Sequence, residues 1–160
     1  MAELADILEQ NAIPTKRIIH DCVDTGSTLA LTGATEINLP CDAVARNYKS
    51  TAQDLWTPGT SIVKDSIDNS ELRVKIKLTL NGAVNSICTI RAIVPHPTFG
   101  DIEIDNFDMI LYKNNIDTNF TAFLMLYNGT DSEAKDYGFK ITIEPSAGMD
   151  LKARSILVSI

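Results

Sequence analysis

"ELRVKIKLTLNGAVNSICTIRAIV", residues 71–94, is the stretch that decides the fold class. In its first ten residues Leu72, Val74, Ile76, Leu78 and Leu80 alternate with Glu71, Arg73, Lys75, Lys77 and Thr79. Side chains along a strand point to opposite faces in turn, so period two predicts an antiparallel strand with one face in a core and one in water. Asn81-Gly82 follows, a pair that accepts the positive φ of a tight hairpin, and 84–94 reads as the returning strand.

Working outward from this stretch, the same signature recurs. "RIIHDCV" (17–23), "TLALT" (28–32) and "TEINL" (35–39) precede it, separated by turns at Gly26 and Gly33. Residues 40–60 are irregular, punctuated by Pro40, Asn47, Pro58 and Gly59, with Trp56 placed to pin the loop to the body. After "HPTFG" comes "DIEIDNFDMILY" (101–112), whose apolar phase changes midway and predicts a bulge near Asp105-Asn106. "NFTAFLMLY" (119–127), the turn "NGTDSEAKD", "GFKITIE" (138–144), the turn "PSAGMD" and "LKARSILVSI" (151–160) complete the chain. Nine or ten short strands with no alternating helices predict an all-β antiparallel sandwich, a jelly roll of about eight strands. Leu4, Ile7 and Leu8 fall at helical spacing ahead of Ile13 and Pro14. Residues 1–16 therefore read as an N-terminal arm able to dock on a partner through Leu4, Ile7, Leu8 and Ile13, and residues 17–160 as one domain.

A chain of 160 residues that is 44% hydrophobic and 22% charged has the composition of one globular domain with a sizeable core. Its net charge of −7 repels a phosphate backbone, and its cations are scattered, so nucleic acid is not an expected partner. No stretch approaches the roughly 18 apolar residues of a membrane span. "MAELADILEQNAI" lacks the basic start and apolar run of a secretory signal, so synthesis and folding in a cytoplasm are expected. Cys22, Cys41 and Cys88 lack metal-ligand spacing and read as free, buried thiols.

Two strands break the one-wet-face rule. In 119–127, Phe120, Ala122, Leu124 and Leu126 form one face, and Thr121, Phe123, Met125 and Tyr127 the other. In 151–160, Leu151, Ala153 and Leu157 oppose Ile156, Val158 and Ile160. Strands apolar on both faces need a second cover: the 40–60 loop, or another subunit. Aromatics and Met are enriched at interface cores, which favours the subunit.

"NFTAFLMLY" followed by "YGFKITIEPSAGMDLKARSILVSI" resembles the trimeric tumour-necrosis-factor-like jelly rolls, a fold shared by complement globular heads and many phage virion proteins. The resemblance runs from about residue 17 to the end and rests on strand patterns. It implies a homotrimer, with Phe123, Met125 and Tyr127 on a strand lining the three-fold axis and Ile156 and Val158 beside it. It further implies a non-enzymatic virion protein. One form is a head-decoration trimer bound to a major capsid or other virion protein; the other is an appendage module binding a host receptor or glycan through loops 40–60 and 128–136.

The remaining motifs carry weaker chemistry. Asp24-Thr25-Gly26-Ser27 matches the start of an aspartic-protease turn, but such enzymes need two facing carboxylates, hence a dimer here. Asp followed by Thr, Gly and Ser is also ordinary turn chemistry. His20 and His96 lack neighbours for a metal site. Asp101, Glu103 and Asp105, with Asp108 nearby, could hold calcium, or pair across strands with Arg73, Lys75 and Lys77. Asn119-Phe120-Thr121 and Asn128-Gly129-Thr130 match the glycosylation pattern by chance in a chain without a secretory signal. No cofactor and no catalytic residue is expected.

Overall fold

The computed structural model describes residues 28–41, 55–57, 59–65, 70–129 and 133–159 in full, and residues 17–22 and 45–48 as backbone. In chain order the strands are β1 (Arg17–Cys22), β2 (Leu29–Leu31), β3 (Ile37–Asn38), β4 (Ala45–Tyr48), β5 (Ile62–Val63), β6 (Ser70–Gly82), β7 (Ile87–His96), β8 (Gly100–Ile110), β9 (Thr118–Asn128), β10 (Phe139–Pro145) and β11 (Met149–Ser159). A short helix, α1 (Glu133–Tyr137), precedes β10. Two antiparallel sheets result. The larger has the order β4-β1-β11-β6-β9, with β2 also on β11; the smaller has the order β3-β10-β7-β8, with β5 also on β10. This is the all-β jelly-roll sandwich expected from the alternating strands.

The alternation of β6 places Leu72, Val74, Ile76, Leu78 and Leu80 against the opposing sheet, each at most 2% exposed. Cys88, Ile90, Ala92 and Val94 of β7, Ile141 and Ile143 of β10, and Leu124 and Leu126 of β9 complete the same core. Burial of each large aliphatic contributes roughly 1.5–3 kcal/mol. Trp56 is buried, and its Nε1–H donates to the Cys41 carbonyl at 3.2 Å, so the irregular loop is pinned as expected. Cys41 and Cys88 are buried; burial, reinforced by Asp108, pushes the Cys88 thiol up to about 12.

The Asn81-Gly82 hairpin does not form: β6 and β7 lie in different sheets. The turn falls later, where Asn85 takes φ 66°, its N–H donates to the Leu111 carbonyl at 2.7 Å, and Leu111 N–H donates to Ser86 O at 2.9 Å. Gly82 serves close packing instead, since a Cβ there would sit 2.9 Å from Met149 Cβ. Both strands carry a full apolar face, so a corner that sets them across the core buries more than a side-by-side hairpin would.

Two bulges reset the alternation. In β8 the extra residue is Ile104, next to the expected position, because Ala92 pairs with Asp105 while Ile93 pairs with Glu103. In β11 it is Lys152, skipped between Leu151↔Leu80 and Ala153↔Thr79. Residues 133–137, expected as turn, form α1, closed by Gly138 at φ 74° with its N–H on Ala134 O at 2.8 Å.

Candidate functional site: the outer face of the larger sheet

The register of β11, β6 and β9 arranges the outward side chains of the larger sheet in cross-strand rows. From one end of the sandwich they read Asp150–Asn81, with Asp117 bonded to Asn81; Ala153–Thr79–Asn119; Ser155–Lys77–Thr121; Leu157–Lys75–Phe123; Ser159–Arg73–Met125; and Glu71–Tyr127. The face thus has a polar half and an apolar half. β9, the last strand of this sheet, runs beside β8, the last strand of the other.

In the apolar half, Phe123, Met125 and Tyr127 are 63%, 65% and 61% exposed, while Ala122, Leu124 and Leu126 between them are buried. The doubly apolar strand is therefore real, and among the described residues nothing covers its outer face. At roughly 200 Å² per large side chain, on the order of 400 Å² of apolar surface stays in water, as large as the biggest patch a typical monomer shows. An open cavity of about 480 Å³ lies between Phe123, Met125, Leu157 and the stems of Arg73 and Lys75. The Lys75 ammonium sits 5.4 Å from the Phe123 ring centroid, and Arg73 Nε donates to Glu71 at 2.9 Å.

Ile156 and Val158, expected beside the aromatic strand, have no exposed surface: they pair with Ile76 and Val74 and belong to the core. The Lys152 bulge is the cause. One extra residue exchanges the faces of everything after it, so Leu151, Ile156 and Val158 share the inner side and Leu157 takes the outer place next to Lys75. The arm residues Leu4, Ile7, Leu8 and Ile13, and the Asp24 turn, lie outside the described residues.

The sequence singled out the acids of β8 but not the exposed apolar residues between them. Ile102, Ile104, Phe107 and Ile110 are 36–51% exposed there, interleaved with Asp101, Glu103, Asp105 and Asp108. Its signal was the phase change, which marks a strand with no full inner face. Three of these acids are engaged at home: Asp101 with Lys140 at 2.8 Å, Glu103 with Arg91 at 3.1 Å, and Asp108 with the Thr89 hydroxyl at 2.6 Å. Among the described residues no three His, Cys, Asp or Glu side chains converge as metal ligands. His96 is built into the β7–β8 turn, its Nδ1 accepting from the N–H groups of Thr98 and Phe99 at 3.0 Å and its Nε2 3.2 Å from Glu133. Among the described residues no helix is long and apolar enough to cross a membrane.

Compared by sequence, the chain matches no protein-family model and no curated protein. Compared by structure, it is similar to the Eiger TNF from S. frugiperda, with TM-score 0.58 and 11% identity over 92% of this chain and 93% of that one. It is also similar to the PRD1 vertex protein P5, with TM-score 0.51 and 9% identity over 91% of this chain and 70% of that one. At such identities the likeness is one of architecture: this chain has the jelly-roll fold seen in a TNF protein and in a vertex protein.

Proposed function

We propose that the chain is a virion structural protein, a homotrimer that decorates a capsid and binds it through several weak contacts at once. The observation that carries this reading is the exposed ladder Phe123–Met125–Tyr127, extended by Leu157 and set beside Arg73 and Lys75. The β8 edge offers the complement, apolar residues interleaved with four acids. A basic apolar face and an acidic apolar edge on one molecule join head to tail. Such heterologous contacts close into rings when the rotation allows it. The architectural likeness to the PRD1 vertex protein supports a virion setting, and residues 1–16 are the proposed anchoring arm.

Absolute mass in solution tests the assembly: three times the 17.5 kDa chain is expected, and a monomer at micromolar concentration sinks the ring. Binding of the trimer to isolated capsids, with loss on removal of residues 1–16, tests the decoration role. A second reading, a receptor- or glycan-binding appendage, is favoured by the end of the sandwich far from Tyr127. There Val84, Tyr112 and Ile116 are 45%, 75% and 51% exposed on loops tied by Asn115 N–H to Gly82 O at 2.8 Å. Binding to host cells in place of capsids selects it.

A further inference from the structure

The larger sheet gathers cations that stand far apart in the chain. Its register puts Arg17 in the row of Arg73 and Met125, and Arg46 in the row of Lys75 and Phe123. In a chain of net charge −7, these two rows hold four cationic residues and no acid. Arg73 has Glu71 at 2.9 Å. Lys75 stands between Leu157 and Phe123 and meets only the Phe123 ring among the described residues.

The β8 edge carries the inverse arrangement. Ile102, Asp105 and Phe107 pair with Val94, Ala92 and Ile90, all buried, so they lie on the core-facing side of the strand. Ile102 and Phe107 nevertheless stay partly in water, because β8 is the last strand of its sheet. The other three acids of β8 have partners on their own sheet. Asp105 accepts only the N–H of Asn106, at 2.9 Å, among the described residues. One molecule therefore presents a cation set among apolar groups and a carboxylate set among apolar groups, neither with an ionic partner among the described residues.

We propose that Asp105 of one copy is the counter-charge of Lys75 in the next, with Ile102 and Phe107 seated on the apolar residues around Lys75. The inference rests on the head-to-tail trimer reading and names its contact. Covering the apolar half takes the Lys75 ammonium out of water, and contact with one aromatic ring replaces only part of the lost hydration. The Asp105 carboxylate meets the same penalty when its apolar neighbours are covered. Pairing the two relieves both at once. It also gives the contact a direction: each copy donates one carboxylate and receives one, so the interface runs one way around the ring.

The test exchanges the charges in the full chain. Solution mass is read by light scattering at micromolar concentration, with circular dichroism as the check on folding. The unmodified chain is expected at three chains. Lys75→Glu and Asp105→Lys each set like charges against one another and are expected at one chain with unchanged spectra. The double variant Lys75→Glu/Asp105→Lys is expected to return to three. Lys75→Glu with Asp108→Lys has the same net charge but is altered on the other side of β8, and is expected to stay at one. A trimer that survives Asp105→Lys overturns the pair and leaves the trimer standing. So does a double variant that stays monomeric while the unmodified chain is a trimer, or a rescue by Asp108→Lys as complete as that by Asp105→Lys. A dimer that both single exchanges break and the double restores sinks the ring and keeps the pair, whereas a monomeric unmodified chain sinks both.

Discussion

The two sheets present opposite kinds of outer face. On the smaller sheet Arg91 is ringed by Glu144 at 2.5 Å, Glu36 at 3.0 Å and Glu103 at 3.1 Å, with Lys140–Asp101 and Thr89–Asp108 alongside. Burial works against the Arg91 charge, but Glu144, Glu36 and Glu103 together outweigh it and hold the guanidinium protonated above its ordinary range. Away from the exposed apolar residues of its β8 edge, that face pairs its own charges. On the larger sheet the outer face leaves the aromatic ladder of Phe123, Met125 and Tyr127 more than half exposed. The difference teaches where to look for a partner: the surface that cannot complete itself.

The largest break is Phe123→Glu. It places a carboxylate in the middle of the exposed ladder, and the expected outcome by light scattering is a fall from three chains to one, with the monomer's circular dichroism retained. A paired substitution on β11 sharpens the contrast between faces. Ile156→Ala removes a fully buried side chain and should cost about 2–5 kcal/mol in denaturant unfolding. Its neighbour Leu157→Ser points outward and should weaken assembly while changing monomer stability far less. Equal effects of the two on the isolated chain would contradict the phase given by the bulge.

On the smaller sheet, Arg91→Gln leaves three glutamates without their cation. Because these groups are partly in water, the expected loss is about 1 kcal/mol, with the solution mass unchanged. A change of oligomeric state there would move the interface to the wrong face. A further effect, confined to alkaline pH, concerns the shared interior. Cys88 is raised from the ordinary 9.0 to about 12 in the folded chain. Its contribution to stability is fully present below pH 9 and is lost as pH climbs toward 12, so the alkaline limb of a stability–pH curve should flatten in Cys88→Val.

What the sequence made legible was the alternation. Leu72 to Leu80 and Ala122 to Leu126 point inward as their spacing requires, and Phe123, Met125 and Tyr127 point outward for the same reason. What it hid were single-residue insertions and long-range choices. Lys152 carries no mark of a bulge, so Ile156 and Val158 were assigned the wrong side of β11. Asn81-Gly82 is a strong local turn signal, yet the corner was decided by where two apolar faces could meet, which depends on strands far along the chain. The exposure of Ile102, Ile104 and Phe107 escaped because an edge is a property of the sheet and not of the strand.

The pairing of β1 has a mechanical consequence. Arg17 begins that strand opposite Ser159 at the end of β11, and the ladder continues in register to Cys22 opposite Arg154. The bonds of an antiparallel ladder lie across the strands. A tether attached ahead of Arg17 and pulled along the strand axis therefore loads the rungs of the ladder together in shear, while the same pull applied crosswise would open them one at a time. The direction of tension decides which of these two strengths the ladder displays.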